Sequence, residues 1–156
     1  MESGREQAAA LRVHLAWKGV RFEQVLVSPL LRTRETAALI APDVPAEPTE
    51  WLREIDHGPD EGRTEVEVVT RIGAAALEHW EAEAVPPDGW VVDAETRLAG
   101  WRGFLDALPP GDTLLVTSNG AARYLRLALG LFPAKLRTGA YAQVDARGLV
   151  AWDIRP

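Results

Sequence analysis

The sequence contains no cysteine, so neither a disulfide nor a thiolate metal site can be built from it, and its composition fits a cytoplasmic compartment. No apolar run approaches the roughly 20 residues needed to cross a bilayer, which argues against a membrane partner. Positive charge is not in excess: 17 Lys and Arg stand against 23 Asp and Glu, a formal net charge of −6. That balance argues against a general nucleic-acid surface, and an anionic ligand would have to be held by a local arginine cluster working against the overall field. There is also no internal repeat, no low-complexity tract and no linker-like stretch.

What remains is a chain of 156 residues, 47% hydrophobic and 26% charged, read as one domain over 1–156 and long enough to bury a proper core. Its six tryptophans are many for this length, and most are expected to be packing residues.

The chain is organised around residues 25–37. Val25-Leu26-Val27 is an unbroken apolar run, the pattern of a strand buried on both faces. Ser28-Pro29 ends it, because proline has no amide hydrogen to give a sheet and turns the preceding residue away from helix. A helix follows at once, which puts Ser28 and Arg32 at the carboxyl end of a strand, where open α/β sheets bind ligands. The arginine there offers a planar fork for phosphate or carboxylate.

Elsewhere the signals are local. Ser3-Gly4-Arg5-Glu6 has capping-box spacing, and Ala8, Leu11, Leu15 and Ala16 mark an amphipathic helix that Gly19 can end, with His14 on or near its packed face. Residues 42–48 read as a proline-punctuated loop, and 51–62 as a charged, solvated loop ending in a Gly-Pro turn. Thr64-Glu65-Val66-Glu67 predicts a second capping box, opening one long helix through Val68, Ile72 and Trp80, with His79 structural or exposed. After the break at 86–89, residues 90–93 are ambiguous and extended, and 95–108 form another amphipathic helix.

Residues 113–117 are the second strong buried strand. Ser118-Asn119-Gly120 then leads into a helix over 121–131, giving oriented backbone donors and a favourable field for an anion. Arg123, one turn further on, is placed to face the same crevice. Alternation over 139–153 around Arg147-Gly148 predicts a hairpin closing on the sheet edge.

Ser28-Pro29-Leu30-Leu31-Arg32-Thr33-Arg34-Glu35-Thr36-Ala37 resembles the Ser-Pro-Leu-x-Arg-x-x-x-Thr-Ala signature of the histidine phosphatase superfamily, the phosphoglycerate-mutase-like proteins. The Ser3–Glu6 stretch, the Leu-x-Glu of Leu52-Arg53-Glu54, and Val116-Thr117-Ser118-Asn119-Gly120 follow the same family in order. The resemblance implies a three-layer α/β/α sandwich with a mostly parallel sheet and phosphoryl transfer through a phosphohistidine. It implies phosphate binding by Arg32, with Glu54 as general acid and Asn119 where the family has its second histidine. As a neutral amide, Asn119 donates a weaker hydrogen bond than an imidazolium. Arg123 and Ser28 complete the candidate phosphate-binding set. No metal or cofactor is called for, because arginines and histidines supply the positive charge.

The family's nucleophile lies in an Arg-His-Gly motif at the end of a first, central strand, and that motif does not occur in this sequence. None of His14, His57 and His79 fills its place by position; His57 falls in the turn expected to carry the acid. The first strand is therefore expected to be missing, with Met1 an internal residue of a longer product, and these 156 residues should not be an efficient phosphatase. The leading reading is a phosphomonoester hydrolase-type protein that binds a phosphorylated small molecule. The alternative is a non-catalytic phosphate-binding or interaction module on the same fold. An exposed strand edge would favour pairing with another chain as a homo-oligomer.

Overall fold

In the computed structural model, which describes the backbone of residues 2–156 and side chains from Gly4 onward, Val25, Leu26 and Val27 end a six-residue strand, β1 (Phe22–Val27). All three are buried, because β1 has a parallel neighbour on each side, β2 (Ala46–Pro48) and β3 (Asp112–Val116), in the order β2-β1-β3. Register fixes which side chains go to which face: Val25 lies opposite Leu114, Leu26 opposite Leu115 and Val27 opposite Val116. Since side chains alternate along a strand, Val25, Val27, Leu114 and Val116 share one face and Leu26 and Leu115 the other.

Each face is covered by helices, which makes three layers. On the first face, α2 (Leu31–Ile40) packs Ala37, with Ala41 just past its end, against the two valines of β1 and Val116. Beside it, α1 (Glu2–Trp17) packs Ala8 and Leu11 against Ile40 of α2 and against Phe22 and Leu114 of the sheet. On the second face, Leu26 joins Leu52, Ile55 and Val92 together with residues of three helices: Trp80 of α4 (Ala74–Glu83), Trp101 of α5 (Ala94–Asp106), and Tyr124 and Leu125 of α6 (Asn119–Ala128). No helix among the described residues is long and apolar enough to cross a membrane.

Several sequence expectations need correction. Residues 42–48 are not all loop, since 46–48 pair with β1. The long helix opened by the Thr64–Glu67 capping box is two helices, α3 (Glu65–Ile72) and α4, because Gly73 (φ 88°, ψ 153°) takes a conformation open to glycine and closed to helix. The capping box itself forms, with both of its hydrogen bonds. The box expected at Ser3 falls on a side chain outside the described residues, and Ser3 lies inside α1 rather than before it. Residues 51–62 are not a solvated loop: Leu52, Ile55 and Asp60 are all buried. Of the tryptophans, Trp17 stands apart, 85% exposed on the outer face of α1.

The expected strand at 113–117 forms, but its Leu114 and Leu115 are only half-buried, unlike their partners on β1. Among the described residues, β3 has β1 on one side and no paired strand on the other. The C-terminal hairpin, β4 (Tyr141–Asp145) and β5 (Gly148–Ile154), forms as the alternation predicts, but it is a separate two-stranded antiparallel sheet. Tyr141 and Leu114 nonetheless pack against the same Ala8–Leu11–Ile40 cluster, so the hairpin and β3 flank one core without hydrogen bonding to each other.

Candidate functional site

The neighbouring strands β1 and β3 end together, Val27 beside Val116, and each chain then turns into a helix. The turn after β1 is built by Ser28 and Thr33. Ser28 is buried; its N–H donates to Val116 O (2.9 Å), and its Oγ accepts from Leu30 N at 3.5 Å. The Thr33 hydroxyl lies within hydrogen-bonding distance of both Ser28 O (3.0 Å) and Leu30 O (2.8 Å). Ser28 thus shapes the elbow from a buried position just past the end of β1. The elbow starts α2 so that Arg32, in the first helical turn, stands out over the strand ends with its side chain 68% exposed.

Glu54 comes from the segment after a short 3-10 turn at Glu50–Leu52, which is tied to the end of β3 by the Thr117 hydroxyl donating to Leu52 O (2.5 Å). Buried Leu52 and Ile55 on either side anchor the segment and leave the Glu54 side chain 22% exposed. Its Oε2 accepts from Arg32 Nη2 (3.1 Å), and its Oε1 accepts from Ile55 N (3.1 Å). The start of α6 presses against this carboxyl: a Cβ on Gly120 would fall 2.8 Å from Ile55 Cγ1 and 2.9 Å from Glu54 Oε1. Asn119, the first residue of α6, accepts from Leu136 N through Oδ1 (2.8 Å). The crevice thus gathers a guanidinium, a carboxyl and the N-terminus of a ten-residue helix.

Of the five residues singled out by sequence, Arg32 and Glu54 are paired, and Asn119 is next to the glycine that touches Glu54. Arg123 is paired with α4: it is 1% exposed, donates to Glu81 O (3.3 Å) and Glu81 Oε2 (2.7 Å), and lies 5.4 Å over the Trp80 ring. The expectation that it faces the crevice is corrected by this commitment to α4. Its Nε, the Tyr124 hydroxyl and the Ser118 hydroxyl are buried without partners among the described residues.

Sequence reasoning missed two further contributors. Asp60, buried, accepts from Arg71 Nε (2.7 Å) and Nη2 (2.5 Å) and from Trp90 Nε1 (2.8 Å), pinning the turn that follows Glu54 to the 88–91 stretch. Those hydrogen bonds, Arg71's first, outweigh burial and hold its carboxyl down at about 2. The reciprocal Asp56–Val91 backbone bonds close the same seam. The second is Arg97 on α5, 7% exposed, whose three donors all go to backbone carbonyls: Val92 O (2.6 Å), Arg53 O, and Glu54 O (3.3 Å). A charged residue on the apolar stripe of α5, four before Trp101, was the available signal.

The fold is thus a parallel α/β sandwich with an arginine and a carboxyl joined at the strand ends, against a helix N-terminus, the position at which open α/β sheets bind ligands. The sequence model of the histidine phosphatase superfamily (branch 1) matches residues 1–149, and the chain belongs to that family. It is 32% identical over 129 residues to a 2,3-bisphosphoglycerate-dependent phosphoglycerate mutase of Methylobacterium sp. (strain 4-46), covering 76% of this chain and 62% of the relative. It is 29% identical over 139 residues to the mitochondrial serine/threonine-protein phosphatase Pgam5 of Drosophila pseudoobscura pseudoobscura, covering 85% of this chain and 44% of the relative. The chain thus spans less than two thirds of the length of these relatives. Among solved structures, the mycobacterial glucosyl-3-phosphoglycerate phosphatase in complex with inorganic phosphate superposes with a TM-score of 0.77 at 20% identity, over 99% of this chain and 87% of that one. That likeness confirms the phosphoglycerate-mutase-like fold.

Proposed function

We propose that these 156 residues form the phosphate-binding part of a phosphomonoester hydrolase that takes a phosphorylated small molecule. Arg32 receives the phosphoryl group, the Asn119 amide donates to one of its oxygens, and Glu54 gives the proton to the departing alcohol oxygen. The observation that carries this reading is the Arg32–Glu54 pair over the ends of β1 and β3, seated against the start of α6. The relatives' names fit it: a phosphoglycerate mutase, a protein phosphatase and a phosphatase crystallised with phosphate all handle phosphoryl groups.

In family chemistry an imidazole nitrogen bonds to phosphorus as the ester P–O bond breaks, and water then cleaves the P–N bond to release phosphate. Support for an inactive chain comes from the surroundings of the three histidines in this sequence. His14 Nε2 hydrogen bonds to the Tyr141 hydroxyl (3.2 Å). His57 pairs with Glu61 (2.9 Å) and packs edge-on to Trp90, while His79 is exposed on α4. We therefore assign to these residues binding without turnover. A cysteine-free chain with this role fits the cytoplasm.

Inorganic phosphate titrated into the protein and into Arg32→Ala, followed by calorimetry, tests the assignment. A charge-assisted hydrogen bond contributes about 1.5–3 kcal/mol, so the variant should bind roughly 10- to 100-fold more weakly. Equal binding by the variant would remove Arg32 from the role. Release of p-nitrophenol from p-nitrophenyl phosphate should stay at the uncatalysed rate; turnover would restore one of the three histidines as nucleophile.

A further inference from the structure

Arg97 is a buried cation with no carboxylate among its hydrogen-bond partners, an expensive arrangement unless its position matters. Burial works against its charge, while Tyr124, Glu54 and Asp93 favour it. Two of its donors reach the carbonyls of Arg53 and Glu54, the peptide units on either side of the Glu54 Cα. The second of these units is the informative one. Its carbonyl is held by Arg97 Nη2, and its other end, Ile55 N–H, donates to the Glu54 carboxylate at 3.1 Å. Because a peptide unit is planar, fixing the carbonyl fixes where the N–H points.

We propose that Arg97 is the positioning residue for Glu54: its planar guanidinium clamps the two peptide units flanking Glu54 and aims Ile55 N–H at the carboxylate, which holds that carboxylate on Arg32. This rests on the reading of Arg32 and Glu54 as the anion site. The clamp needs a fork, which explains arginine where a lysine would carry the same charge. An ammonium has no plane and cannot bridge three carbonyls set at guanidinium spacing. The groups around Glu54 come from several elements: Arg32 of α2 and Ile55 N–H on its carboxyl, Gly120 of α6 against the same carboxyl, and Arg97 of α5, itself near Tyr124 and Asp93, on its backbone carbonyl.

The test is nuclear magnetic resonance of the whole protein. In the wild type, acid titration of Glu54 should move the Ile55 amide and the Arg97 side-chain N–H signals together, and Glu54→Gln should abolish both movements. In Arg97→Lys the Ile55 amide should lose its response while signals of the β1–β3 core stay in place. A generally weakened core would shift those core signals too, so the two explanations separate. An Ile55 amide that responds in Arg97→Lys as it does in the wild type overturns the proposal. Should Arg97→Lys not fold, the wild-type titration still decides, because Arg97 signals that ignore Glu54 overturn it equally. None of these readouts uses phosphate, so failure of phosphate to bind would strike the site reading and leave the positioning result to be judged by itself.

Discussion

Gly120→Ala is the substitution with the sharpest expected outcome. The residue is in the first turn of α6, where alanine would ordinarily stabilise a helix by about 0.5–1 kcal/mol over glycine. Here the added methyl lands 2.8 Å from Ile55 Cγ1 and 2.9 Å from Glu54 Oε1, closer than real Cβ atoms approach. Ile55 is 1% exposed and packed against Leu52 and Tyr124, so it has no room to withdraw. Glu54 can move, but only by leaving Ile55 N–H. Overpacking of this kind costs about 1–3 kcal/mol, which exceeds the helix gain. The net expectation is a loss of about 1–2 kcal/mol, or roughly 2–8 °C in Tm for a chain of this size. Gly103→Ala is the matched control: it is exposed on α5 with nothing within 4 Å of its added Cβ. It should raise Tm by about 1–4 °C. Differential scanning calorimetry of the two variants side by side gives the answer. A Gly120→Ala protein that melts higher than wild type, as Gly103→Ala does, would refute the close joint between α6 and Glu54.

Two other expectations concern the elements that hold the site in place. Asp60 has its folded pKa depressed to about 2, so the stability it contributes is present above the unfolded carboxyl value of about 3.9 and is lost as pH falls from there toward 2. Tm measured against pH over that window should drop more steeply for wild type than for Asp60→Asn; parallel curves would show that the Arg71 and Trp90 contacts do not bind the carboxylate. Thr64→Ala removes the side-chain acceptor of Glu67 N and should cost about 1 kcal/mol by urea denaturation, with Thr64→Ser close to wild type; no change would mean that the box is idle in solution.

The strand-elbow-helix units were legible because each is written in consecutive residues: an apolar run, Ser28-Pro29 or Ser118-Asn119-Gly120, then helix. Glu54 was legible only by resemblance, since nothing in its own neighbourhood distinguishes it from Glu50 or Glu61. The break at Gly73 was overlooked because apolar spacing continues across it, while the backbone there does not. Arg123 misled because helical spacing says which side of α6 it leaves from but not that Glu81 and Trp80 wait there. The short β2 and the half-burial of β3 are properties of who pairs with whom, and a strand's neighbours are not encoded in its own residues.

The joining of Arg32, Glu54 and Gly120 has a consequence for how the molecule comes together. The pair alone bridges 22 positions of chain, and the α6 contact requires residue 27 to lie beside residue 116. Closures that long are slow, and no local fragment contains the crevice. On the proposed function, an anion held there would recognise only the finished chain and would draw the folding equilibrium toward the native form; at a hundred times its dissociation constant the gain would be about 2.7 kcal/mol. Phosphate in a refolding buffer would then act as a selective additive, and the rate at which binding capacity returns would time the last long-range step of assembly.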